Sequence, residues 1–203
     1  MSPRVVVLDY GSGNLRSAER ALVRAGAEVT VTPDLAVAAD ADGLVVPGVG
    51  AYAACMAGIE KLGAQDVVRA RVADERPVLG ICVGMQVLFE FGVEHGVRTH
   101  GLGVFPGGVT RLTAERIPHM GWNTVSAGPG SVLFQGVEGE RFYFVHSYAA
   151  APAGIEGVLT TSAHDEPFLA AIERSAVAAT QFHPEKSGDA GATVLANWVR
   201  AIS

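Results

Sequence analysis

The first half of the chain alternates short β-branched runs with helix-forming stretches, and that alternation leaves few folds open. Arg4–Asp9 reads as a strand and Leu15–Ala25 as a helix, with Leu15, Ala18, Leu22 and Ala25 on one face and Gly26 as its stop. Glu28–Thr32 and Gly43–Val46 read as the second and third strands, and Pro47-Gly48-Val49-Gly50 turns the chain. Ala51 to about Glu75 reads as helix, broken near Gly63. Val78–Ile81 is a fourth strand, followed by an expected helix over Val83–Glu90. A β-α-β-α order implies a mostly parallel, doubly wound sheet with right-handed crossovers and helices on both faces. Ligands bind such sheets at the carboxyl ends of the strands. Asp9-Tyr10-Gly11-Ser12-Gly13, Pro47–Gly50 and Cys82 all fall there.

The second half has a weaker helical period. Val109–Leu112, Asn123–Val125, Phe142–Val145, Val158–Thr161 and Phe168–Ile172 read as strands joined by Gly/Pro turns, an antiparallel layer added to the same domain. Val177–Gln181 is a further strand and Asp189–Ile202 a closing helix. Without linker, repeat or low-complexity tract, residues 1–203 read as one domain.

Bulk properties exclude several classes. Hydrophobic residues make up 49% of the chain and mean hydropathy is +0.28, enough for a large core. No apolar run reaches the ~18 residues that cross a bilayer, so no membrane is expected. Net charge is −6 and no basic block exceeds two residues, which argues against nucleic acid. Only two cysteines occur, with no metal-binding motif, so neither a disulfide framework nor a metal or cofactor is called for. A working thiol suits a reducing cytoplasm.

The chemistry converges on Cys82. It lies in Gly80-Ile81-Cys82-Val83-Gly84-Met85-Gln86, directly after the apolar run Pro77-Val78-Leu79, where strand turns into helix. A thiol there has backbone N–H groups and a helix N-terminus nearby, which favour the thiolate. Gly80 and Gly84 flank it as a tight turn requires, the thiol counterpart of a G-x-S-x-G elbow. A buried structural cysteine between packing glycines is the plainer alternative. Gln181-Phe182-His183-Pro184-Glu185 weighs against it, because it offers a base and a carboxylate two positions apart. His183 would accept and return the proton, and Glu185 would orient the ring. His95, His100 and His164 read as surface histidines. The turn holding Val49 and Gly50 could supply oxyanion-stabilising N–H groups together with Val83, or could simply end a strand. Gln86, four residues after Cys82, could bind a polar substrate or merely solvate the helix.

These residues resemble the class I glutamine amidotransferases, which use a Cys-His-Glu triad. The resembling motifs also include Asp9–Leu15, Pro47–Tyr52, Pro118-His119-Met120-Gly121-Trp122-Asn123, Phe144-Val145-His146-Ser147-Tyr148 and Gln181–Ser187. His119–Asn123, Phe144–Tyr148 and Lys186 point to the branch of glutaminase subunits that serve histidine biosynthesis. The resemblance implies a flavodoxin-like sheet. It implies attack of Cys82 on the side-chain amide of L-glutamine, release of ammonia, and hydrolysis of the thioester to glutamate. Gly50 and Val83 would match oxyanion groups, and Gly50, Gln86, Ser147 and Tyr148 would match substrate contacts. It further implies a heterodimer with a separate (β/α)8-barrel cyclase that receives the ammonia. Asn14, Met120, Trp122, Asn123, Tyr143 and Lys186 are candidates for the rim facing that partner, with ordinary core packing the alternative for Trp122 and Tyr143. A catalytically silent binding module, an independent cysteine hydrolase, or the glutaminase of another synthase remain as other readings.

Overall fold

A computed structural model describes residues 1–203. Strand β1 (Arg4–Leu8) leads to helix α1 (Leu15–Arg24), β2 (Glu28–Thr32), α2 (Leu35–Asp40) and β3 (Gly43–Gly48). Helices α3 (Tyr52–Leu62) and α4 (Ala64–Ala73) follow, then β4 (Val78–Cys82) and the one-turn helix α5 (Val83–Gln86). The second half contributes β5 (Phe89–Glu94), β6 (Val97–His100), β7 (Phe105–Arg111), β8 (His119–Thr124), β9 (Arg141–His146) and β10 (Tyr148–Ala150). It closes with β11 (Val158–His164), β12 (Glu166–Arg174), β13 (Val177–Thr180), a 3₁₀ turn (Pro184–Lys186) and α6 (Gly188–Ala201).

The main sheet has seven strands in the order β11-β12-β13-β4-β3-β1-β2. From β2 to β13 all neighbours run parallel, while β12 and β11 extend the edge antiparallel. Its 2-1-3-4 start is the flavodoxin-like order. Every residue of β3, β4 and β13 is buried, and all but Thr180 are apolar, as strands covered on both faces tend to be. Gly63, at φ +78°, separates α3 from α4 where the long helix was expected to break.

One expectation is corrected. The helix after Cys82 ends at Gln86 and not Glu90, because Phe89–Glu94 joins β7 and β6 in a second sheet of order β10-β7-β5-β6. A Cβ at Gly92 would come within 2.5 Å of the Tyr52 ring, and one at Gly101 within 2.2 Å of the Tyr52 hydroxyl and the Phe89 carbonyl oxygen, so strand pairing and close packing override the helical spacing. The antiparallel strands expected in the second half are present, spread over the edge pair β11–β12, the ribbon β8–β9 and the four-stranded sheet, in which β5 and β7 alone run parallel. Helix α2 and strands β5, β6 and β10 were not anticipated; Asp34 caps α2 by accepting from the Ala36 and Val37 N–H groups.

Phe134, Phe142, Phe144 and Phe182 stack in one fully buried cluster that binds the ribbon to the end of β13. Burial of each ring is worth about 2–3 kcal/mol. This cluster fixes the segment immediately before His183.

Candidate active site

Cys82 ends β4 with φ +57° and ψ −115°, a left-handed backbone that a residue with a Cβ adopts only under strain, at a cost of about 1–3 kcal/mol. The expected elbow exists, with a different division of labour. Gly80 and Gly84 have no positive φ; the thiol residue itself carries the turn. Gly80 is needed for close approach, since a Cβ there would lie 2.8 Å from the Gly84 carbonyl oxygen. The N-terminus of α5 thereby rests directly on β3 and β4.

His183 follows β13, the parallel neighbour of β4. Its N–H donates to the Tyr143 carbonyl at 3.0 Å, and its carbonyl accepts from the Ser187 hydroxyl at 2.7 Å. The Tyr143 N–H in turn donates to Ser187 at 2.9 Å. His183 Nδ1 lies 2.8 Å from Glu185 Oε1, both side chains being almost wholly buried. Burial alone would lower the His183 pKa. Hydrogen bonds to the Cys82 thiol and the Glu185 carboxylate, with their charges, outweigh it and raise the value to about 9.

Cys82 and His183 open into one cavity of about 270 Å³, a volume suited to a single amino acid. Of the residues expected at the site, Val49, Gly50, Val83, Gln86, Ser147, Tyr148 and Lys186 also line it, while Glu185 stands behind His183. Gln86 is buried, and its Nε2 donates to the Tyr148 carbonyl and to Gln181 Oε1, both at 2.9 Å. Both amide protons are therefore spoken for, and the carbonyl end of Gln86 is left to accept from a ligand. The Val49 N–H donates to Ser12 Oγ at 3.3 Å, and Ser12 Oγ donates to the Val49 carbonyl at 2.9 Å. The Val49 N–H and carbonyl are thus both held by Ser12, so the oxyanion role expected of Val49 requires its bond to Ser12 to open. Gly50, at φ +82°, remains on the cavity wall beside Val83. Cys55 lies behind this turn, 3.3 Å from Ser12 Oγ and 3.4 Å from the Val49 carbonyl; burial pushes its thiol pKa up.

Sequence reasoning missed three residues. Glu94 lines the cavity from β5 and accepts from the Tyr52 N–H at 2.8 Å. It fell in a stretch with no strand signal. Gln181 holds Gln86, and its Nε2 lies 3.8 Å from Cys82 Sγ. His146 lines the cavity between Val145 and Ser147. Gln181 stands two positions before His183, a spacing that could have flagged it.

The rim residues separate by strand alternation. Met120 and Trp122 point outward from β8 at 66% and 53% exposure. Tyr143 lies opposite Trp122, with ring centroids 6.1 Å apart. Lys186 is exposed at the cavity mouth, and Asn14 is half-buried ahead of α1. Asn123 belongs to the inward row, which corrects its placement on the rim: its amide donates to the Ala163 carbonyl at 3.0 Å. Trp122 and Tyr143 are accordingly not core residues. His164 is half-buried and stacked on His119 at 4.4 Å, not the free surface histidine expected.

A strained cysteine on a strand-helix turn, an imidazole clamped by a carboxylate, and an amino-acid-sized cavity define a thiol amidohydrolase site. The chain belongs to the class-I glutamine amidotransferase family, whose sequence model matches residues 6–202. It is 63% identical over 204 residues to imidazole glycerol phosphate synthase subunit HisH of Mycolicibacterium paratuberculosis, covering 99% of each chain. It is 59% identical over 208 residues to the protein of the same name from Streptomyces avermitilis, covering 98% of this chain and 97% of that one. Among solved structures, PurLQS from Thermotoga maritima superposes with a TM-score of 0.77 at 18% identity over 100% of both chains. A crystal structure of glutamine amidotransferase gives 0.69 at 23% identity, over 92% of this chain and 93% of that one. These two likenesses concern the fold alone. No helix is long and apolar enough to cross a membrane.

Proposed function

We propose that residues 1–203 form a single amidotransferase domain acting as the glutaminase subunit of imidazole glycerol phosphate synthase. Its substrate is L-glutamine and its products are L-glutamate and ammonia. The observation that carries the reading is His183 Nδ1 at 2.8 Å from Glu185 beside a cysteine held at φ +57°. The relatives' shared name supports the synthase assignment.

In this mechanism the Cys82 thiolate adds to the side-chain carbonyl carbon of glutamine. The resulting oxyanion is met by the N–H groups of Gly50 and Val83, with Val49 joining only once its bond to Ser12 is released. Protonated His183 passes its Nε2 proton to the departing nitrogen, so the C–N bond breaks, ammonia leaves and a thioester remains. Neutral His183 then takes a proton from water, whose oxygen adds to the thioester carbon. Collapse breaks the C–S bond, releases glutamate and restores the thiolate and imidazolium. Glu185 keeps the ring oriented and stabilises its charge throughout. Gln86 Oε1 and the Glu94 carboxylate are acceptors suited to the substrate's α-ammonium group, while Ser147 and Tyr148 border the same end.

Ammonia loses its nucleophilicity once protonated in neutral water, so it must pass under cover to an acceptor. We assign that acceptor to a (β/α)8 cyclase subunit docked on the rim of Met120, Trp122, Tyr143 and Lys186, with Asn14 at its edge. The cyclase then makes imidazole glycerol phosphate and aminoimidazole carboxamide ribonucleotide. We assign the complex to the cytoplasm, whose reducing conditions suit a working Cys82 thiol. The test is Cys82→Ala in the complex. Glutamine-dependent synthesis should vanish while synthesis fed with ammonium salt persists. Loss of both activities would overturn the division of labour.

A further inference from the structure

Two buried histidines outside the triad form a chain that ends at the cavity. His119 and His146 are directly opposite one another across β8 and β9, both on the inward face. His119 Nδ1 lies 2.9 Å from His146 Nε2. At one end, Asn123 Nδ2 lies 3.2 Å from His119 Nε2. At the other, His146 Nδ1 lies 3.0 Å from the Tyr148 carbonyl. Gly121, between His119 and Asn123, carries no side chain to intervene.

The proton positions in this chain follow from its ends. The Asn123 amide is oriented by two bonds: Nδ2 donates to the Ala163 carbonyl at 3.0 Å, and Oδ1 accepts from the Thr124 N–H at 2.9 Å. The second Nδ2 proton therefore faces His119 Nε2, which must accept. A neutral His119 then carries its proton on Nδ1 and donates to His146 Nε2. His146 likewise carries its proton on Nδ1 and donates to the Tyr148 carbonyl, which can only accept. Both ends impose the same tautomer on both rings. Burial favours the neutral form of each, lowering His119 to about 4 and His146 to about 3. The Tyr148 carbonyl also receives Gln86 Nε2 at 2.9 Å, and Gln86 is bound in turn to Gln181.

We propose that His119 and His146 are positioning residues for glutamine recognition: a one-directional chain, Asn123 to His119 to His146 to the Tyr148 carbonyl, holds the Ser147–Tyr148 segment and the amide orientation of Gln86. The chain touches the substrate end of the cavity and leaves the Cys82–His183–Glu185 chemistry to other groups. It deepens the glutaminase reading and rests on it.

Two measurements test this. In the complex, His146→Phe keeps a ring but removes the donor. We expect the KM for glutamine to rise about tenfold, the factor one lost buried hydrogen bond supplies, with kcat changed less than about threefold. His146→Asn places an amide N–H where Nδ1 stood and should recover most of that loss. Nitrogen-15 NMR of the unsubstituted protein should find both rings neutral with the proton on Nδ1 at neutral pH. A proton on Nε2 of either ring, a Phe variant with wild-type KM, or equal impairment of the Phe and Asn variants would overturn the proposal. Wild-type complex that binds no glutamine would overturn the glutaminase reading as well, whereas the first three outcomes leave that reading standing.

Discussion

The carbonyl oxygen of Val46 occupies the space that a side chain at position 84 would need: a Cβ built on Gly84 falls 1.9 Å from it. Both atoms belong to buried backbone, β3 and α5, so neither can yield like a flexible side chain. Gly84→Ala should therefore displace α5 and the Cys82 turn together. The expected result is a loss of about 3 kcal/mol or more in urea unfolding, with glutaminase activity falling further than stability explains. A variant of wild-type stability would show that the contact is softer than the geometry implies.

Ser12 holds the Val49 peptide at both its N–H and its carbonyl. Ser12→Ala should free the Val49 N–H to turn toward the cavity. We expect glutamine hydrolysis by the isolated subunit to rise severalfold, with stability changed by about 1 kcal/mol or less. Unchanged or lower turnover without the partner would mean that Ser12 does not restrain this turn.

Stability should fall on both sides of neutrality. The His183 pKa is raised from 6.5 to about 9, so its contribution is complete below pH 6.5 and is lost as pH rises through about 9. His119 and His146 are lowered from 6.5 to about 4 and about 3, burial being the main cause in each, with neighbouring His164 acting on both and His183 on His146. Their contribution is complete above pH 6.5 and is lost as pH falls through those values. A Tm-against-pH series should show a plateau near neutral with declining limbs, and His183→Gln should remove the alkaline limb. An alkaline limb that survives in His183→Gln would assign it to another group.

Trp122 is half-exposed and meets Tyr143 edge-on, so Trp122→Ala should leave the fold intact. Binding of the cyclase subunit, read by titration calorimetry, should weaken about tenfold or more, as loss of an aromatic anchor does. Equal affinity would move the docking surface elsewhere.

Much of this molecule was legible because local chemistry and global fold agree. Val5–Leu8 and Val78–Ile81 are apolar at every position and lie on inner strands of the parallel part of the sheet. Gly63 was visible as a helix break and is one, at φ +78°. The Cys82 and His183 segments were readable because each follows an apolar strand, and adjacent parallel strands bring their carboxyl ends together. Phe89 and Glu90 read as helix, and Phe91–Glu94 gave no signal, because the pairing partners of this strand, β6 and β7, lie later in the chain and spacing within one segment cannot report them.

Arg71 shows the same boundary from the core. It is almost fully buried, and its guanidinium donates to the carbonyls of Ala38, Ala39, Ala41, Asp42 and Pro77. Its spacing from Ala64 and Val68 puts it on the buried face of α4, unlike the exposed Arg69, but nothing local reports the carbonyls that receive its charge there. The amino-acid sequence by itself determined the sheet's parallel core and the cysteine turn, because these depend on neighbours along the chain. Only the tertiary structure decided which polar groups meet: Ser12 with Val49, His119 with His146, Gln86 with Gln181. Those bonds join residues on different elements, and a buried polar group takes whichever partner the packing of those elements leaves within reach.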